Sequence, residues 1–440
     1  MTYAIGVDFG TTNSVIALAN EQGEVQTVTW PSQSEIGRTQ TFRTALMFWK
    51  DGRSLRHVAG PQALARAIAA EAGERFIQSF KTHLASSVFS EARLFGQRVT
   101  IEEMTSIFLR HLFADHGGTQ IANGAFLCAG RPVVFAGERP NEALALQRLS
   151  SAYAGAGFGP VEFAFEPLGA AYWHARNLER DETVLVADFG GGTSDFAILN
   201  FSRSVEGLEA EPLAHGGCGV AGDAFDYRLI DHVISPLLGK GALYRSLEKL
   251  LPLPAYLHAT FAQWHQISWL KSPKTLEDLR RFADCSDRGA ELEALAELIE
   301  MDLGFELYQT VGAVKAALSS AQETRLNFSH GGVAIDAMVR RSDFERWIAP
   351  DLERIEAALE NTMAMAKLES SGIDAVFMTG GTSYTPALRA IFEKRFGASK
   401  LHFGNPFQSV AAGLALLAAD RRRRQSRTRP AGLGIAAQAH

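Results

Sequence analysis

Two stretches of this chain share one pattern of apolar and polar positions. Ala4-Ile5-Gly6-Val7 leads into Asp8-Phe9-Gly10, and Ser14-Val15-Ile16-Ala17-Leu18 leads out. The same pattern returns 180 residues later: Thr183-Val184-Leu185-Val186-Ala187 leads into Asp188-Phe189-Gly190, and Asp195-Phe196-Ala197-Ile198-Leu199 leads out. Short apolar runs bounded by Gly and Thr predict strands, and the tight connection predicts a β-hairpin in each copy. A duplicated α/β unit is the simplest reading of the repeat. Between the copies, residues 126–135 read as a further strand, and 141–155 and 167–177 as helices. After the second copy a mostly helical stretch runs from 224 to about 320, broken by Pro252, Pro254 and Pro273. Residues 343–367 carry Phe344, Trp347, Ile348, Leu352, Ile355 and Leu359 at helical spacing. A strand at 375–378 then enters Gly380-Gly381, and a helix at 386–396 follows.

Composition changes this picture little. A chain of 440 residues, 46% hydrophobic and 21% charged, is ordinary globular material for two or three cores. A net charge of −6 gives no global attraction to nucleic acid or to an anionic membrane, so neither is an expected partner. Cys128, Cys218 and Cys285 lie far apart and form no CxxC pair; buried, inert thiols are expected. The opening MTYAIGVDFG has no basic, apolar leader, and the apolar stretch 409–419 is too short to span a bilayer, so a cytoplasmic protein is expected. Six arginines within 421–429 predict a solvated, basic, flexible tail over 421–440.

The repeat acquires chemistry from its loops. A Gly/Thr turn directly after a strand exposes backbone N–H groups and hydroxyls without side-chain obstruction, as polyphosphate oxygens require. Gly10, Thr11, Thr12 and Asn13 form one such loop, and Gly190, Gly191, Gly192 and Thr193 the other. Alone, either is merely a turn. Two copies, each led by an aspartate, would set Asp8 and Asp188 on opposite sides of one phosphate chain, suited to Mg²⁺ held largely through its own waters. Both loops contain Asp-Phe-Gly, yet no His-Arg-Asp loop or Gly-Lys-Ser/Thr motif accompanies them, which excludes protein-kinase and P-loop readings.

Over roughly residues 3–418 the chain resembles the nucleotide-binding domain of the 70-kilodalton heat-shock (DnaK-type) chaperones, within the actin and sugar-kinase superfamily. Residues 2–14 resemble the family's first phosphate motif and 184–199 its second; Arg131-Pro132-Val133-Val134-Phe135 resembles its connecting strand. Phe165-Glu166-Pro167-Leu168-Gly169-Ala170-Ala171 resembles a helix start, Gly222-Asp223-Ala224-Phe225-Asp226 an acidic segment, and 311–320 and 376–386 the adenosine segments. The resemblance implies an α/β fold of duplicated actin-like (ribonuclease H-like) ATPase lobes. Each lobe would have a mixed five-stranded sheet flanked by helices: lobe I over 1–180, and lobe II over 181–420 with a helical insertion at about 224–320. It also implies ATP or ADP with Mg²⁺. Asp8 and Asp188 would orient the hydrated metal. Thr11, Thr12 and Thr193 would contact phosphate or the attacking water, Lys81 would be catalytic, Glu166 would position water or metal, and Asp195 would assist. Without the resemblance, Lys81 reads as a surface lysine and Glu166 as a carboxylate on a helix N-terminus. Gly222, Asp223, Lys315, Ser319, Gly380, Gly381 and Tyr384 would hold the nucleoside.

Several positions depart from the family. Gly312 stands where a glutamate is expected, Tyr384 where an arginine stacks on adenine, and Phe407 where an acidic residue is usual. A tyrosine ring still offers a flat face for stacking. The pattern carries no acidic-leucine linker or β-rich peptide-binding domain after 420, most like the YegD-type members. The expectation is therefore a slow ATPase in a chaperone-related role exerted through co-chaperones or clients, without a grip on extended peptides. A sugar kinase, an actin-like filament protein and a nucleotide-binding scaffold of low turnover are the alternatives on this fold.

Overall fold

The computed structural model describes residues 4–31, 38–68, 74–114, 126–137, 139–176, 178, 180–204, 207–263, 267, 270–301, 303–404 and 409–428. Phe407 lies outside them. The chain divides into two compact units. One comprises Met1–Gly219, Leu359–Gly381 and Phe396–His440, and the other Val220–Ala358 and Thr382–Arg395. The expected lobe boundary near residue 180 falls inside the first unit.

Both copies of the repeat belong to that unit, and each builds a sheet around its hairpin. In the first, Ala4–Phe9 is central, antiparallel to Asn13–Ala19 and parallel to Phe126–Arg131, with Val25–Thr27 and Glu162–Phe165 outside. In the second, Glu182–Phe189 is central, antiparallel to Ser194–Ser204 and parallel to Ala375–Thr379, with Gly207–Cys218 and Leu401–Phe403 outside. Taken in chain order, both sheets run 3-2-1-4-5. The first differs by a sixth short strand, Phe42–Arg43, laid beside Asn13 and Ser14.

The faces of the first sheet follow the two-residue period of a strand. Ile5, Val7 and Phe9 enter a core with Phe108, Leu112, Leu149 and Tyr153 from the helices Ile101–Ala114 and Glu142–Gly155. Ala4, Val15, Ala17 and Cys128 enter another, shared with Val184, Val186, Ala197 and Leu199 of the second sheet. That second core is rich in alanine because two helices pass through it at close range. Helix Ser409–Thr428, which follows the last strand of the second sheet, packs on the first sheet. Helix Glu166–Ala175, which follows the last strand of the first, packs on the second. The helices cross where a Cβ on Gly413 would lie 1.6 Å from the Gly169 carbonyl, and a Cβ on Gly6 would lie 2.1 Å from that of Ala411. No side chain fits at either position.

The Arg-rich segment begins inside this last helix, which runs through Thr428; Arg421 pairs with Glu162 at 2.6 Å and Arg423 pairs with Asp420. The expected free tail therefore starts as helix. Among the described residues no helix is long and apolar enough to cross a membrane. Cys128 is buried and its thiol pushed up to about 12 by burial, whereas Cys218 is half-buried and Cys285 exposed, against the expectation of three buried thiols.

In the second unit the stretch expected to be helical also contains a hairpin, Leu243–Ser246 with Lys249–Pro252. Its leucines at 243, 250 and 251 face solvent, so no buried-face alternation marked it as β. Pro273 starts the helix Pro273–Asp284 under a Ser272 cap instead of breaking one. A second hairpin, Glu323–His330 with Val333–Arg340, leads to the helix Arg341–Ala366.

Candidate functional site

Asp8 and Asp188 are the penultimate residues of the two central strands. They hold the same place in their ladders: Asp8 pairs with Val15, and Asp188 with Asp195, one step before Phe9 with Ser14 and Phe189 with Ser194. The loops that follow are shaped by glycine. A Cβ on Gly10 would lie 2.2 Å from the Asn13 carbonyl, and the Gly190 N–H donates to the Thr193 carbonyl at 3.0 Å. Gly192 would present a Cβ 3.8 Å from Thr11 Oγ1, Thr82 Cγ2 and Ala136 Cβ, so the second loop sits opposite the first and opposite the turn carrying Lys81. Gly380, at φ 82°, closes over the end of the same strand, and a Cβ there would lie 2.1 Å from the Phe189 carbonyl.

Lys81 lies in the short 3₁₀ turn Phe80–His83, entered through Ser79 in the left-handed region at φ 52°. It is 7% exposed, and its Nζ donates to Glu166 Oε1 at 2.7 Å. Glu166 opens its helix ahead of Pro167, and Gly130 makes room for it, since a Cβ there would lie 2.9 Å from Glu166 Cγ. Asp195 is 1% exposed; it accepts the N–H groups of Val133 at 2.7 Å and Val134 at 3.1 Å, and the Thr193 hydroxyl. Those N–H groups come from the turn after Phe126–Arg131, which the Arg131 guanidinium braces by donating to the Pro132 carbonyl at 3.0 Å and to Glu142 at 2.6 Å.

Asp8, Asp188, Asp195 and Glu166 thus act on one another around Lys81. Burial, then Glu166, pushes Asp8 up to about 7 against the opposing pull of Lys81. Burial and Glu166 likewise push Asp195 up to about 7 despite its hydrogen bonds. Asp188 is driven well above the carboxylate range by burial and by all three neighbouring carboxylates. Asp8 and Asp188 are half-buried, and Asp195 is buried. For Lys81, burial opposes the charge, but Glu166, Asp8 and Asp195 outweigh it and hold the ammonium above its usual range. A set of crowded carboxylates that repel one another, beside half-exposed loop amides, fits a hydrated divalent cation with a polyphosphate.

The remaining expected residues fall in two places. Gly381 follows Gly380 in the first unit. In the second unit Lys315 pairs with Asp226 at 2.8 Å and donates to the Gly222 carbonyl at 3.1 Å, the Tyr308 hydroxyl donates to Asp223 at 3.4 Å, and Ser319 lies one helical turn beyond Lys315. Tyr384 is 46% exposed. Sequence reasoning passed over Thr44 and gave Arg131 no bracing role; a polar Thr44 between Phe42 and the apolar run 45–48 was the available signal.

With the geometry in place, comparison with known proteins bears on its meaning. A family model described as Hsp70 protein matches residues 302–424. The chaperone protein DnaK of Thermosipho africanus is 26% identical over 423 residues, covering 95% of this chain and 59% of that protein. DnaK of Thermus thermophilus is 26% identical over 441 residues, covering 95% and 61%. The chain is similar to the Hsp70 chaperones over nearly its whole length. Its paired sheets of one strand order, with helices packed on them, are the actin-like ATPase fold of the Hsp70 family. The match extends through the helix carrying Lys315, through Ser319 just after it, and through Gly380 and Gly381. The chain spans about three fifths of the length of the DnaK relatives it matches.

Proposed function

We propose that this Hsp70 relative binds Mg-ATP at the two facing loops of the first unit and hydrolyses it slowly, in a chaperone-related role. The observation that carries the reading is the buried Lys81–Glu166 pair among Asp8, Asp188 and Asp195, opposite two glycine-rich loops of matched register. Amides of Gly10 to Asn13 and of Gly190 to Thr193 would bind the phosphate oxygens. Asp8 and Asp188 would hold the water shell of Mg²⁺, an ion that neutralises charge on the transferring phosphate. Lys81 supplies a fixed positive charge, kept ammonium by its neighbours, and Glu166 holds that ammonium in place while leaving its second oxygen for water. Asp195 is a fastening, since it accepts from Val133, Val134 and Thr193. The nucleoside would be held by Gly222, Asp223, Lys315, Ser319, Gly380, Gly381 and Tyr384. Partners in this reading are co-chaperones or client proteins meeting the outer surface, the setting is cytoplasmic, and the chain's pattern resembles the YegD-type members.

ATP turnover by the purified protein, with and without unfolded protein or candidate sugars, tests the proposal. Release of phosphate to water supports it. Stoichiometric transfer to a sugar replaces it with a kinase, and nucleotide-dependent sedimentation replaces it with a filament protein.

A further inference from the structure

We infer that Thr44 is a positioning residue for the phosphate chain, acting through the first loop. Thr44 and Ser14 are both fully buried, at 0% exposed. The Thr44 hydroxyl donates to the Gly10 carbonyl at 2.8 Å, and the Thr44 N–H donates to the Thr12 carbonyl at 2.9 Å. Since that hydroxyl has one hydrogen and it is spent on Gly10, the 2.9 Å contact between the hydroxyls of Ser14 and Thr44 has Ser14 as donor. One residue therefore grips the loop at two points and the strand behind it at a third.

The consequence follows from the peptide plane. In a trans peptide the carbonyl and the next N–H point in opposite directions. Drawing the carbonyls of Gly10 and Thr12 toward Thr44 turns the amides of Thr11 and Asn13 to the opposite face. Two amides presented together on one side of a turn make an anion-binding concavity. Nothing in the loop's own sequence sets this orientation, because Gly10 tolerates many backbone conformations. Thr44 sets it, from its place directly after the short strand Phe42–Arg43, which joins the sheet beside Asn13 and Ser14.

This inference rests on the nucleotide reading above, and one experiment separates their fates. ATP, ADP and adenosine are titrated with Mg²⁺ into wild type, Thr44→Val and Thr44→Ser, with thermal melts of each. Thr44→Val keeps the shape and removes the hydroxyl; it should weaken ATP and ADP at least tenfold and leave adenosine within about twofold, while Thr44→Ser restores phosphate-dependent binding. A merely structural residue would move adenosine and ATP alike, and that result, or unchanged ATP affinity in Thr44→Val, overturns the inference alone. Wild type that binds neither ATP nor ADP overturns both readings. Should Thr44→Val fail to fold, Thr44→Cys, with a weak donor of similar size, carries the same comparison.

Discussion

The two glycine-rich hairpins agree in register residue for residue and differ in what holds them. The second closes its own turn, Gly190 to Thr193, and is fastened to the other sheet by Asp195 through the N–H groups of Val133 and Val134. The first has Val15 at the corresponding place, buried in the core between the sheets, and takes its brace from Thr44. Equal backbone geometry thus rests on unequal chemistry. A duplicated loop preserves its shape as long as some group satisfies its carbonyls and amides, and the two copies have found different groups.

The largest expected effect tests what the copies share. Asp188→Asn and Asp8→Asn should each lower Mg-dependent turnover roughly 10²-fold or more, the scale of one lost electrostatic contact in a preorganised site. Both should melt at or above wild type at pH 8, because a carboxamide removes a charge that burial and neighbouring carboxylates oppose. Unchanged turnover in one variant would show that only the other aspartate serves the metal.

What the copies do not share is tested next. Asp195→Ala leaves the N–H groups of buried Val133 and half-buried Val134 without their acceptor and should cost about 2 kcal/mol in denaturant unfolding. Val15→Ala, at the matching register, should cost about 1 kcal/mol. Equal losses would mean that Asp195 is as passive as its counterpart.

A third effect is smaller and depends on pH. The folded protein holds protons on Asp8 and Asp195 up to about 7, whereas the unfolded chain releases them near 3.8. Between these values the folded state binds more protons, so their contribution makes stability fall as pH rises through the window and level off above it. Melting of the nucleotide-free protein from pH 4 to 8 should show the decline, and Asp8→Asn should flatten it. Mg²⁺ affinity should rise over the same window as the carboxylates ionise. A melting curve identical in wild type and Asp8→Asn would place Asp8 in water.

The smallest effect lies outside both hairpins. Tyr384→Ala should weaken adenine-nucleotide binding by about 1 kcal/mol, the low end for base stacking because the ring is 46% exposed, with turnover at saturation unchanged. Equal affinities by titration would remove Tyr384 from the base and leave the hairpins as the whole of the recognised site.

Much of this was legible before any fold was known. The hairpins, the strand after residue 126, the helices beginning near 142 and 166 and the long helix after 341 follow from apolar runs and helical spacing, and the repeat itself announced a doubled sheet. The hairpin at 243–252 was hidden because its leucines face solvent, leaving neither a buried face nor an alternation to read. Lys81 and Glu166 were visible through resemblance, but their contact was not: 85 residues separate them, and nothing local to either encodes the other.

By itself the sequence determined the local elements and where the two loops fall, because short apolar runs that end in Gly and Thr mark strand ends. Tertiary structure decided the rest. Only the exchange of helices between the sheets, made possible where Gly169 meets Gly413, places Glu166 beside Gly130 and within 2.7 Å of Lys81. Only the folded strand beside Ser14 brings Thr44 to the first loop, and only the turn after Arg131 gives Asp195 its partners. The charge states follow the same division. An aspartate's ordinary acidity is a property of the residue, but the rise of Asp8 and Asp195 to about 7 comes from burial and from a carboxylate delivered by a distant part of the chain.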